Sequence, residues 1–260
     1  RPMPSVDILL IAFFIGPDTV TKYVFNTYVT QLGLSVAMIT GSAAAPAIAS
    51  LLASNNPTAA ADLIDKTKQS VLFMVSLFAS VTLLLNEHFV NIWVGPQFYV
   101  SDAATVAIVL AFVQLALIRN DSQIQDASLD LKRKVLVGIA SSGLTVALGA
   151  AMMSWFEGSI EMLLIAIVFS RIGMTLLYRR YVQELRKRPM ILPLRTCVLL
   201  PYGVACVLLA HHLQLSGIIP FFGFATGAVL FSIAVAFFCC FDRQSRVAIW
   251  AGIKRRLGRL

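Results

Sequence analysis

Long apolar runs separated by short polar breaks dominate the chain, and their lengths carry the first prediction. Residues 5–15 are apolar apart from Asp7 and stop at Gly16-Pro17-Asp18, a turn signal. A helix needs ~20 residues to cross a bilayer, so this stretch reads as the second half of a cut helix, which predicts a fragment. The next uncharged run extends from Tyr23 to Ala61, with Gly41 and Pro46 inside it and Asn55-Asn56-Pro57 as its stop. A helix of that length tilts, kinks or projects into water, and the Gly/Pro pair predicts the kink. Further spans are expected at about residues 69–86, 103–118, 135–153, 160–178, 196–212 and 217–241. Leu215-Ser216-Gly217 makes a hairpin between the last two, with Pro220 tolerated in the first turn of the final helix. The pattern predicts an all-α, polytopic transmembrane helical bundle of about seven full spans plus one truncated span.

Composition narrows the class. Of the 260 residues 58% are hydrophobic and 13% charged, where soluble domains carry roughly 25% charged residues. That excludes a soluble globular enzyme, a disordered tail and a disulfide scaffold. The net charge of +8 belongs to cytoplasmic loops rather than to nucleic-acid binding, because Lys and Arg collect on the inner side of membrane proteins. If the first helix runs outward, alternating crossings place 19 of the 21 Lys and Arg residues inside, leaving Lys22 outside and Arg171 within a span. Both termini are then cytoplasmic, in a multi-pass protein of the inner membrane. Trp93 and Trp155 fall at the outer boundary and Trp250 at the inner one, as an aromatic belt requires. Three regions follow: a bundle over 1–190, a transmembrane hairpin over 191–242 and a basic amphipathic tail over 243–260. In the tail Val247, Trp250, Ile253, Leu257 and Leu260 form an apolar stripe among arginines and a lysine, the pattern of an interfacial helix on the lipid bilayer's anionic leaflet.

Little in the sequence carries chemistry. No GxSxG elbow, Walker loop, HExxH or dinucleotide fingerprint occurs, so an enzyme is not expected and no cofactor is implied. Cys197, Cys206, Cys239 and Cys240 lie in apolar runs without metal-ligand spacing and read as buried thiols. His211 and His212 are adjacent and point about 100° apart on a helix, as an outer-interface cap. His88 beside Glu87 reads as a solvated external turn.

The informative residues are polar groups inside the membrane. Arg171 lies roughly 13 Å along a helix from Arg180, and a centred arginine costs ~2.5–3.5 kcal/mol, so it faces a polar interior. Thr175 and Tyr178 share its face. Two readings stand for Arg171: a substrate contact and an interhelical ion pair. Tyr23, Asn26, Thr30, Gly33, Ala37, Gly41 and Ala44 recur at helical spacing, a face polar near the outside and small deeper in. With Lys22 beside it, the outer part reads as vestibule lining, and the inner part as close helix packing. Asp7 is a candidate interior carboxylate. Gln114, Arg119 and Asp121 cluster at an inner helix end, and Ser141, Ser142, Gly143, Gly149 and Ala150 read as packing residues.

Asp7 before an apolar stretch, Gly16-Pro17, Tyr23 opening a long helix with Pro46 near its inner end, a long amphipathic segment, then Ile92-Trp93-Val94-Gly95 and Tyr99 form one pattern. It resembles the polysaccharide-biosynthesis exporters of the multidrug/oligosaccharidyl-lipid/polysaccharide flippase superfamily. The resemblance implies a MATE-like architecture of two six-helix lobes with an extra helix pair, of which this chain matches the second lobe and that pair. A missing first lobe, or a second chain, would complete the cavity. It also implies a transporter that moves an undecaprenyl-diphosphate-linked oligosaccharide outward for cell-surface polysaccharide biosynthesis. Arg171 would contact the anionic head group, with Lys22, Tyr23 and Asn26 near the outer gate and Asp7 and Arg119 completing the candidate set. The alternatives are a drug/cation antiporter, a membrane-embedded glycosyltransferase or polymerase, and a non-transporting envelope assembly protein.

Overall fold

The computed structural model describes residues 6–127, 131–155, 159–187, 194–213 and 218–257, and every regular element among them is helical. The expected hairpin at Leu215-Ser216-Gly217, and the end of the tail stripe at Leu260, lie outside the described residues. The first helix, α1 (Val6–Phe14), stops where Gly16 adopts φ 122°, a conformation open to glycine. Pro17 then starts α2 (Pro17–Ala53), its fixed φ suited to a first turn. Asn55 at φ 53° turns the chain, and the Asn56 side chain accepts from the Ala59 amide to cap α3 (Pro57–Trp93). At 37 residues each, α2 and α3 are about 55 Å long, so both extend well past a hydrocarbon core of ~30 Å. The helix assignment of α2 continues through Pro46, so the expected Gly/Pro kink does not interrupt it.

A single 3-10 turn at Pro96–Phe98 leads to α4 (Asp102–Ala127), followed by α5 (Leu131–Trp155), α6 (Ile160–Ser170) and α7 (Ile172–Arg186). A second 3-10 turn precedes α8 (Leu199–His212), then α9 (Ile218–Cys240) and α10 (Arg243–Leu257). Six described helices are long and apolar enough to cross a membrane, with α6 and α7 together forming one of them, Ile160–Arg186. Thr196–His212, expected as a full span, is apolar but shorter. The chain is therefore an all-helical, multi-pass membrane protein.

Several helices outlast the apolar runs: α3, α4 and the α6–α7 span extend past the expected 69–86, 103–118 and 160–178, whereas α8 and α9 stay within 196–212 and 217–241. The span at 69–86 is the middle of α3, so Glu87 and His88 are helical rather than in an external turn, and Lys66 and Lys68 are helical rather than in a cytoplasmic loop. Packing explains this, because tertiary contacts continue along α3 past the apolar run. Its inner part buries Ile64 beside Ile48, Ile124 and Val182. Its centre packs Val71, Val75 and Ala79 against α2 and α4. Its C-terminal part holds Leu84 and Leu85 against Cys206 of α8 and Phe221 of α9. The α8–α9 pair thus packs on α3. A further cluster unites α1, α2, α4, α5 and α6 around Ile11, Tyr23, Ile108, Leu163 and Ile167.

The stripe on α2 is a buried face: Tyr23, Asn26, Thr30, Gly33, Ala37 and Gly41 are all buried, and Ala44 is partly so. Cys206, Cys239 and Cys240 are buried as expected, whereas Cys197 is exposed. Trp93 and Trp155 are exposed at helix ends, Trp250 is exposed in the middle of α10, and Val247 joins it on the outside of that helix.

Candidate functional site

The helical span 160–186 breaks its regularity at Arg171, the turn residue that separates α6 from α7. Two hydroxyls bond backbone carbonyls around this turn. The Ser170 hydroxyl donates to the Ile167 carbonyl or shares a proton with Thr145 Oγ1 at 2.7 Å, and the Thr175 hydroxyl donates to the Arg171 carbonyl at 2.9 Å. Side chains that compete for helix carbonyls weaken and bend the helix; the Arg171 amide reaches Ile167 only at 3.3 Å. Thr175 therefore spends its hydroxyl on its own backbone, and Tyr178 donates to the Lys134 carbonyl, so neither joins Arg171 in a site.

The Arg171 side chain crosses to α1, where Nη2 donates to Asp7 Oδ1 at 2.8 Å, with both side chains largely buried. The interhelical ion pair foreseen as one of two readings is thus formed, and the two strongest intramembrane candidates are partners. Tyr23 lies against them, lining with Asp7, Arg171, Thr27 and Thr30 a cavity of about 20 Å³. The second terminal nitrogen, Nη1, is buried and has no hydrogen-bond partner. Arg171 also lines a larger cavity of about 240 Å³ with Ser141, Ser142, Thr145, Gly138, Met174, Leu115 and Ile118. Ser141 and Ser142, expected only to pack, line this space; of the α5 residues so expected, Gly149 does pack, closely against Leu10 and Leu163.

Three of the six sequence candidates do not join the centre. Lys22 and Arg119 are exposed on α2 and α4. Asn26 is 1% exposed, not at an aqueous vestibule. It donates to the carbonyls of Lys22 and Phe98, both at 2.8 Å, and its oxygen receives Asn86 at 3.4 Å. Asn86 also reaches Thr105, which contacts Tyr99 OH, so this network binds the outer ends of α2, α3 and α4. The Tyr99 phenol is held well above its ordinary pKa by burial, and further by donating at 2.6 Å to Asp102 Oδ1. Aromatic contacts seal the same end, with Trp93 packed on Phe25, Tyr28 and Phe89.

Sequence reasoning missed the opposite end of the bundle. Lys68 donates from α3 to both oxygens of Asp121 on α4, at 2.9 and 3.3 Å, in full burial. One turn away, Asp65 receives Arg186 of α7 at 2.5 Å. The available signal was opposite charge at the inner ends of antiparallel neighbours. Among the described residues no group of three His, Cys, Asp or Glu is placed to hold a metal. Comparison with protein-family models, with curated proteins and with solved structures found no match.

Proposed function

We propose that the protein is a membrane transporter that moves an anionic, lipid-linked oligosaccharide between leaflets, with Arg171 contacting its diphosphate. The supporting observation is the half-occupied guanidinium. One nitrogen is neutralised by Asp7 and the other is buried and unpartnered, while the residue itself lines a cavity of about 240 Å³ edged by hydroxyls. Arginine's planar fork of donors suits a diphosphate, and hydroxyls can complete an anion's hydrogen bonds. Asp7, the intramembrane carboxylate that a drug/cation antiporter would use, is occupied by Arg171, which favours the anionic substrate. On this reading the protein lies in the cytoplasmic membrane with both termini inside, and a first lobe or a second chain encloses the rest of the path.

The ion pair dictates the experiment. Arg171→Ala alone strands the Asp7 carboxylate and lowers the amount of protein, since an unpaired buried charge is strongly destabilising. The double variant Asp7→Ala with Arg171→Ala removes both charges and is expected to accumulate normally. Expressed as the complete native gene in a host lacking its own exporter, it should lose at least tenfold in surface polysaccharide. Normal export at normal abundance in the double variant would exclude Arg171 from the transport path and withdraw the proposal.

A further inference from the structure

A third cavity, of about 20 Å³, lies at the other end of α3 from the Lys68 pair, walled by Asn86, Glu87, His88, Tyr99, Asp102 and Thr105 and floored by α8. Its geometry is dictated by one amide. The Asn26 nitrogen donates to two carbonyls, so only its oxygen faces Asn86. Asn86 must therefore present its own nitrogen to Asn26 and Thr105, which turns its Oδ1 elsewhere. That oxygen is buried and unpartnered on a side chain of a residue 2% exposed. A buried carbonyl oxygen without a donor is costly. Here the cavity beside it has room for about one water-sized sphere.

The rest of the wall is also oxygen-rich: the Thr105 hydroxyl, the Tyr99 phenol and the Asp102 carboxylate, which Tyr99 contacts at 2.6 Å. Glu87 adds a second carboxylate at the rim, and His211 Nδ1 stands 3.8 Å from Asp102 Oδ2. Hard oxygen donors suit hard cations, and calcium asks for six to eight of them while magnesium keeps its waters. We propose that this cavity binds one sodium-class cation through the oxygens of Asn86, Thr105, Tyr99 and Asp102. The ion would fasten the outer ends of α3 and α4 together at a distance from Arg171. The inference does not rest on the transport reading and survives its failure.

The test uses the complete native protein, purified in detergent, in a Trp155→Phe/Trp250→Phe background so that Trp93 reports the outer end. Sodium chloride is titrated against choline chloride at constant ionic strength and fixed pH, following Trp93 fluorescence and Tm. Sodium should raise Tm saturably. Asp102→Asn, an exposed position that can be changed without a core defect, should weaken the apparent sodium affinity at least tenfold, as should the near-isosteric Thr105→Val. Asp242→Asn, which removes a carboxylate elsewhere, should leave the affinity unchanged. Identical curves in sodium and choline, or wild-type curves in both site variants, would mean that the cavity holds water only. A response to calcium alone would overturn the sodium assignment.

Discussion

At the scale of single residues, two glycines on the same face of α2 separate space from flexibility. A Cβ on Gly33 would stand 2.5 Å from the Phe78 ring, which α3 holds in place. At Gly41 the obstruction is the far end of the Gln123 side chain, which can swing away. Gly33→Ala should therefore destabilise the protein by about 1–3 kcal/mol, the usual range for overpacking. Gly41→Ala should cost less. Thermal unfolding in detergent measures both, and Phe78→Ala should partly rescue Gly33→Ala. Equal losses at the two glycines would contradict this account. The same scale explains Arg171. Its depth was legible as an expense, but its partner was not, because 164 residues separate it from Asp7 and only the fold brings α1 beside the α6–α7 junction.

At the scale of elements, α3 ties the molecule together through charges that point inward. Removing one member of a buried pair typically costs about 3–5 kcal/mol, whereas replacing both by apolar groups is often neutral. Lys68→Ala should thus reduce stability severely, while Lys68→Met with Asp121→Leu should recover most of it. A double variant no better than the single one would show that each charge has some other role. The tail helix depends on a different device. Asp242 Oδ1 accepts the Ser245 amide at 2.6 Å, and Gln69 of α3 reaches Oδ2 at 3.3 Å. The Ser245 amide, foremost, lowers the Asp242 pKa. A carboxylate depressed on folding contributes its stability above its unfolded pKa and loses it as pH falls through the lower folded value. Asp242→Ala should cost α10 about 1 kcal/mol, the usual worth of an N-cap, seen as several-fold faster amide exchange confined to α10. In the wild type the same acceleration should appear only in acid, below the ordinary carboxylate range.

At the scale of the whole molecule, described polar contacts gather at two opposite ends of the bundle, and the charge pattern predicts which side of the membrane each end faces. Ser101 donates to Glu161 at 2.6 Å, so the 94–101 connection and the start of α6 share an end. Lys134 pairs with Asp126 at 2.6 Å and Arg186 with Asp65, which collects the opposite set. Single cysteines at Ser101 and Ser159, in a cysteine-free background, should react with an impermeant maleimide from outside the cell. Cysteines at Asn56, Asp126 and Lys187 should react only after permeabilisation. External labelling at Asp126, or protection of Ser159, would reverse the orientation.

The amino-acid sequence by itself determined the helical class, the membrane environment, the position of most spans and the packing role of the small residues Gly33, Ala37 and Gly41 on α2. These follow from local periodicity and from the cost of charge in hydrocarbon, which act on neighbours along the chain. The true helix ends, the pairing of Arg171 with Asp7, the buried Lys68–Asp121 bolt and the conversion of Asn26 from vestibule to interhelical link were decided by the tertiary structure. Each depends on which helices lie side by side, and a polar side chain in a membrane has no fixed meaning until the group opposite it is known.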